Sequence, residues 1–461
     1  VQLAILIAVI LALAQVETSA AGPTGGTIWR AALTMVGVLV APLAAALGSM
    51  RLLRDLAREE RLDPTYCERV WSQVQSIALG LWLAIVVATL YVLKWPQVVR
   101  SDWSLAAWPL ADELVILLPV LAPLVLLWCV LHRLHTAAHR SLARGQDAPR
   151  PQPPLMSFLW QNARHHLALA VLPALAVIGW QETVVLVWPG ASRGGFWVYL
   201  PTLAGMLILL PLALRYVWRT SPLPAGPLRE RLTAICRAQR VGVREILVWH
   251  TDFQVANAAV AGVVRGMRYV FLTDGLLARL SPAEVEAVLR HELGHIAGRH
   301  MLWRLLLLAW PLAMWMAAQQ ACPEALAAIS YGLTQIGLAE PAQMTLLVPL
   351  ALAAYAIVVV GTYSRWLEHD ADLSTCVWPG GQVDRSAAEA FARALLKIVG
   401  PARESFWSLW LHPPAITRVT VLARAIGNPA WAAGFRRRLA WVALAIATLY
   451  LLAAVMLLVR P

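Results

Sequence analysis

Stretches of about 20 consecutive apolar residues recur along this chain, and no other feature limits its fold so strongly. In an apolar medium each stretch must satisfy its own backbone, which leaves α-helices as the spanning elements. Such runs lie at 29–50, 76–95, 110–131, 165–187, 196–218, 301–318, 344–363 and 439–459, with a shorter one at 1–16 that reads either as a span or as the core of a signal peptide. Eight or nine spans are therefore expected. Trp29, Trp95, Trp108, Trp188, Trp197 and Trp218 stand at run ends, where aromatic rings settle at the headgroup level. The chain is 59% hydrophobic and only 14% charged, against about a quarter charged in soluble domains.

The net charge of +12 suggests nucleic acid until the positions are read. Five arginines fall in 51–75 and five in 132–165, whereas 319–342 holds neither lysine nor arginine. Alternation between successive loops is the mark of membrane orientation rather than of a nucleic-acid surface. It places the arginine-rich loops and the polar stretch 219–300 in the cytoplasm. The five cysteines are scattered and form no C-x-x-C, so neither a disulfide framework nor a cysteine zinc site is indicated. Only Lys94 and Lys397 are lysines among the 38 basic residues, a bias pointing to a GC-rich bacterial genome and an inner membrane.

The polar stretch reads as an amphipathic helix (226–240), strands at 243–250 and 269–273, and a strand-like segment 254–264. Ser281-Pro282-Ala283-Glu284 is a capping box. It starts a helix carrying His291-Glu292-Leu293-Gly294-His295, which no breaker separates from the apolar run at 301–318. Residues i and i+4 share a helical face, so His291 and His295 can aim two imidazoles at one zinc ion, and Glu292 is placed to deprotonate a metal-bound water. A catalytic zinc takes a third protein ligand. A metzincin would need histidine at 301, which is Met301. An intramembrane site would have no charged flanks, yet Arg290 and Arg299 are there. A downstream glutamate followed by an aspartate one turn later fits Glu368 and Asp372. His132, His135 and His139 also share a face, but no carboxylate is spaced to join them, so a solvated surface is the better reading.

These features together resemble the HtpX and type I CAAX prenyl endopeptidase family of integral-membrane zinc proteases, of gluzincin type. The resemblance spans about 225–425 and includes 257–262, 272–277, Glu368 to Asp372, and His412-Pro413-Pro414 with Arg418. It implies a mainly α, polytopic membrane protein with a cytoplasmic α+β zinc protease domain. His291, His295 and Glu368 would hold one Zn2+, Glu292 would act as base, and Asp372 would orient a ligating imidazole. His412 and Arg418 would meet substrate or the developing oxyanion. Asn257, Ala259 and Gly262 would line an edge that binds an extended substrate chain. The expected organisation is a multi-span domain (1–218), protease parts at 219–300 and 364–438, a membrane hairpin (301–363) and a final span (439–461). The expected activity is endopeptidase cleavage of membrane or membrane-associated proteins at the cytoplasmic face, with the bilayer and a protein substrate as partners and no nucleic acid. The alternatives are a signalling protease of antirepressor type, or a transporter or scaffold with structural zinc.

Overall fold

The computed structural model describes residues 2–13, 24–58, 64–105, 108, 110–143, 154–188, 200–251, 255–335, 348, 350–378, 382–399 and 411–458. The chain divides into two units, Val1–Trp218 and Arg219–Pro461. Among the described residues six helices are long and apolar enough to cross a membrane: Thr27–Met50, Gln73–Val92, Ala111–Arg133, His300–Ala321, Leu350–Leu373 and Pro429–Leu457, with shorter apolar helices at Val171–Val187 and Ile208–Val217. The protein is a mainly α, multi-pass membrane protein.

The first unit is built of α1 (Gln2–Leu13), α2 (Thr27–Arg58), α3 (Pro64–Val87), α4 (Ala111–Ala143), α5 (Leu155–Asn162), α6 (Ala168–Val187) and α7 (Leu200–Val217). Helices α2, α3 and α4 pack on one another. Pro119 lies inside α4 and has no N–H, which frees the carbonyl of Val115 four residues back. The buried Trp95 indole donates to that oxygen at 3.2 Å. His132 packs on Phe158 with ring centroids 5.0 Å apart. The side chains of His135 and His139 lie outside the described residues.

In the second unit the order is β1 (Thr220–Pro222), α8 (Pro227–Ala238), β2 (Glu245–Trp249), β3 (Ala258–Ala261), β4 (Tyr269–Thr273), α9 (Asp274–Arg279), α10 (Pro282–Ala297), α11 (His300–Ala321), α12 (Pro323–Gln335), α13 (Gly361–Leu373), α14 (Arg385–Val399), α15 (Ala415–Gly427) and α16 (Pro429–Leu458). The four-stranded sheet has the order β1-β2-β4-β3, with β2 and β4 parallel and both outer strands antiparallel to their neighbours. Val270 and Leu272 of β4 join Val285, Val288, Leu289 and Leu293 of α10 and Phe391 and Ala394 of α14 in one core. Each fully buried leucine contributes about 2 kcal/mol there.

One expectation is corrected. The helix does not run unbroken from Ser281 into the apolar stretch: α10 ends at Ala297, and Arg299 takes a left-handed φ of 52° before α11 begins. Glu368 and Asp372 belong to α13, which continues the apolar helix Leu350–Leu373 through a π-turn at Ala356–Val360. The start of α14 is capped by Asp384, which accepts from Ala387 N at 3.1 Å and from the Ser386 hydroxyl at 2.7 Å. Strand β1 and the short helix α9, capped by Thr273, carry no hydrophobic period and were not foreseen.

Candidate metal centre

Helix α10 is held at its start before it delivers any chemistry. Ser281 and Glu284 form the reciprocal capping box, and the Lys397 ammonium of α14 lies 2.8 Å from both Glu284 oxygens. Burial alone would raise the Glu284 carboxyl, but the Lys397 and Ser281 hydrogen bonds carry it below its ordinary value. The same helix α14 brings Phe391 to stack on the His291 ring, centroids 5.1 Å apart and 21° from coplanar.

One turn of α10 carries His291 and His295, and α13 faces it with Glu368. Their donor atoms form a small triangle. His291 Nε2 and His295 Nε2 are 3.2 Å apart, and the Glu368 oxygens lie 3.6 Å from His291 Nε2 and 3.4 Å from His295 Nε2. Donors held about 2.0–2.1 Å from one zinc in a tetrahedron would be about 3.3–3.4 Å apart. Two imidazole nitrogens and a carboxylate are also the donor types that zinc takes. The residues present fit the ion.

Gly294 makes this approach possible. A Cβ there would lie 2.7 Å from Ser374 Cβ and 3.3 Å from the Ala371 Cα, so a side chain would push α13 away.

The imidazoles are oriented from behind. His291 Nδ1 is 3.1 Å from Asp372 Oδ1, and Arg418 of α15 holds Asp372 with Nε 3.0 Å from Oδ2 and Nη2 2.5 Å from Oδ1. Burial disfavours the His291 imidazolium, yet the bonds to Asp372 and Glu368 push it up to about 9. For His295, burial and the neighbouring positive groups hold its proton affinity well below the ordinary histidine value. Glu292 is pushed up to about 7, first by burial and then by Glu368. A carboxyl near neutrality suits a proton acceptor.

Arg418 thus sits on Asp372, and its Nη2 comes to 3.4 Å of the His291 ring nitrogens and 3.9 Å of Glu368 Oε2. His412 is half exposed, with Nδ1 3.1 Å from Glu368 Oε2. The strand-like segment shrinks to β3, and Gln254 lies outside the described residues. Asn257 donates its N–H to Thr273 Oγ1 at 2.9 Å. Gly262 has φ +129°, and a Cβ there would meet the Arg268 backbone at 2.8 Å, so its conformation explains the glycine. Four residues near the site were not anticipated. Arg304 donates to Glu368 Oε1 at 2.8 Å, and His300, Asp370 and Arg436 lead away from His295. The signal available in sequence was His300 five residues after His295 on the same polar-to-apolar boundary. Asp370 reads as a bystander there because it lies on the other side of α13 from Glu368 and Asp372.

Comparison with known proteins bears on this region. Two curated relatives, both named Protease HtpX homolog 2, match over 77 residues: that of Methanosarcina mazei at 38% identity and that of Methanosarcina acetivorans at 35%. Each match takes in 17% of this chain and 26% of the relative, so the chain spans about a quarter of the length of these proteins. The crystal structure of Ste24p from S. mikatae aligns with 86% of this chain and 99% of its own, at 14% identity and a TM-score of 0.35. Residues 226–426, which contain both histidines, Glu368, Asp372, His412 and Arg418, match Peptidase family M48. Residues 226–426 are therefore similar to peptidase family M48, and 77 residues of the chain are similar to the two HtpX homologues.

Proposed function

We propose that this protein is a membrane-embedded zinc endopeptidase that cleaves membrane or membrane-associated proteins at the cytoplasmic face of a bacterial inner membrane. The observation that carries the reading is the triangle of His291, His295 and Glu368 donors with Glu292 beside it on α10.

Zinc in that position supplies Lewis acidity toward a peptide carbonyl and toward water. The chain's own groups do the rest. The Glu292 carboxylate takes a proton from the attacking water and passes it to the amine nitrogen that leaves. Asp372 accepts from His291 Nδ1, which makes Nε2 the nitrogen that would give up its proton and hold zinc, and Arg418 fixes Asp372. His412 stands at the exposed side of Glu368, placed to donate to a substrate oxygen. A purely structural zinc would need the three ligands but no base, and Glu292 is a base. The arginine-poor stretch 319–342 supports the orientation.

The test is Glu292→Gln in the full-length protein. Zinc should remain at one ion per chain while peptide cleavage falls by at least about 10³-fold. Substantial turnover with zinc bound would overturn the assignment of the base. Crosslinking of trapped proteins to the same variant, identified by mass spectrometry, would name the substrates.

A further inference from the structure

The hydrogen bonds of His295 continue away from the donor set through residues that the reaction itself does not use. His295 Nδ1 lies 2.8 Å from His300 Nδ1, and the His300 ring is buried. His300 Nε2 is 3.1 Å from Asp370 Oδ2, and Arg436 Nε donates to Asp370 Oδ1 at 2.9 Å. Arg436 also donates to Ser374 Oγ at 3.0 Å, and that hydroxyl donates to the Asp370 carbonyl at 2.9 Å. The chain of contacts joins α10, α11, α13 and α16.

Chemistry orders its protons. An ionised carboxylate only accepts, so His300 Nε2 carries the hydrogen toward Asp370. A neutral imidazole protonated on one nitrogen accepts on the other, so His300 Nδ1 receives the N–H of His295 Nδ1. His295 is then left with a free lone pair on Nε2, the atom that faces His291 and Glu368. With His300 singly protonated, the other tautomer of His295, or a flipped ring, would lose a bond in the chain. The backbone is shaped to the same end. The left-handed turn at Arg299 swings α11 so that His300 folds back over Gly298, where a Cβ would lie 2.1 Å from His300 Nε2.

We propose that His300, Asp370 and Arg436 are positioning residues that select the metal-binding tautomer and orientation of His295, making the C-terminal helix α16 a working part of the metal site. This rests on the reading of His291, His295 and Glu368 as the zinc ligands. The two histidines are then backed differently: His291 meets a carboxylate directly, whereas His295 meets one through a second imidazole.

The experiment measures zinc dissociation constants of the full-length protein in detergent by competition with a chromophoric chelator. His300→Ala should weaken zinc by about 10–100-fold, the usual cost of losing a partner behind a ligand. His300→Gln should recover most of that, because its amide accepts at one atom and donates at the other. Arg436→Ala should weaken zinc less, and the double variant His300→Ala/Arg436→Ala should be no weaker than His300→Ala, since Arg436 acts through the same chain. A general loss of packing would give neither rescue by glutamine nor this failure of additivity. If His300→Ala does not fold, Arg436→Ala decides by itself: weaker zinc supports the relay and wild-type affinity overturns it. Glu368→Ala separates the two readings. A wild-type chain that holds no zinc overturns both, whereas zinc lost in Glu368→Ala but held equally by wild type and His300→Ala overturns the relay alone.

Discussion

Glu368 shows how much one buried side chain is asked to do. Its Oε1 accepts from Arg304 and faces His295, while its Oε2 faces His291 and His412. It is 1% exposed, so its charge is sustained by those neighbours and by Arg418 3.9 Å away. Removing it leaves Arg304 without its partner and the two imidazoles without their third donor. Glu368→Ala should therefore weaken zinc by more than the about 10–100-fold that an outer partner is worth, and activity should vanish with the metal. Metal analysis beside a cleavage assay checks this, and zinc retained at full affinity would place the third ligand elsewhere. Glu292 contrasts with it: the proposed base is not one of the proposed ligands, so its loss and the loss of Glu368 separate chemistry from binding.

Helices and strands position these groups through close approach. Gly294 lets α10 touch α13, and an alanine there meets backbone and Ser374. Gly294→Ala should cost about 1–3 kcal/mol of stability by overpacking. It should also weaken zinc, because α13 carries both Glu368 and Asp372. A thermal melt with a zinc titration reads both effects, and a variant unchanged in each would show that the helices need not be so close. Arg299 costs about 1–2 kcal/mol in its left-handed conformation, a cost accepted where α11 must turn to bring His300 back.

Strand β3 is an outer strand of the sheet and packs against α10. Thr273 N donates to Asn257 O at 3.0 Å, and antiparallel partners alternate between bonded and unbonded pairs, so Ala259 and Phe271 form a bonded pair. Ala259 therefore points its N–H at β4, and the donors free to meet an extended substrate belong to Ala258 and Val260. Val260→Pro should keep zinc and the melting temperature while raising KM about tenfold, the worth of one hydrogen bond. Ala259→Pro should instead destabilise the domain by about 1–3 kcal/mol. Kinetics and melts of the pair distinguish them, and equal behaviour would remove β3 as the substrate edge.

At the scale of the whole molecule, orientation is the property that a labelling experiment reads most directly. Cys322 follows α11 and is exposed, whereas Cys236 and Cys376 are buried, and burial pushes both thiols up to about 11. Those two would stay silent on either side of a membrane. Ser386, exposed near the start of α14, is the informative comparison. With the proposed orientation, a membrane-impermeant thiol reagent on intact cells should label Cys322 and should label Ser386→Cys only after permeabilisation. Labelling of the introduced cysteine in intact cells would reverse the topology.

Helix spacing and apolar run length are local properties, and they made much of this protein legible from residues alone. The spans, the Ser281 capping box, the strand at 269–273 and the pairing of His291 with His295 all follow from periods and caps within a few residues. Glu368 and Asp372 were legible too, because one turn of helix separates them. What needed the tertiary structure lies across helices distant in sequence. Nothing local says that Arg436 of the last helix reaches Asp370, 66 residues earlier, or that Arg418 holds Asp372. The break at Arg299 was hidden for the same reason: a left-handed arginine has no local advantage and is paid for by contacts made elsewhere, those of His300 with His295 and Asp370.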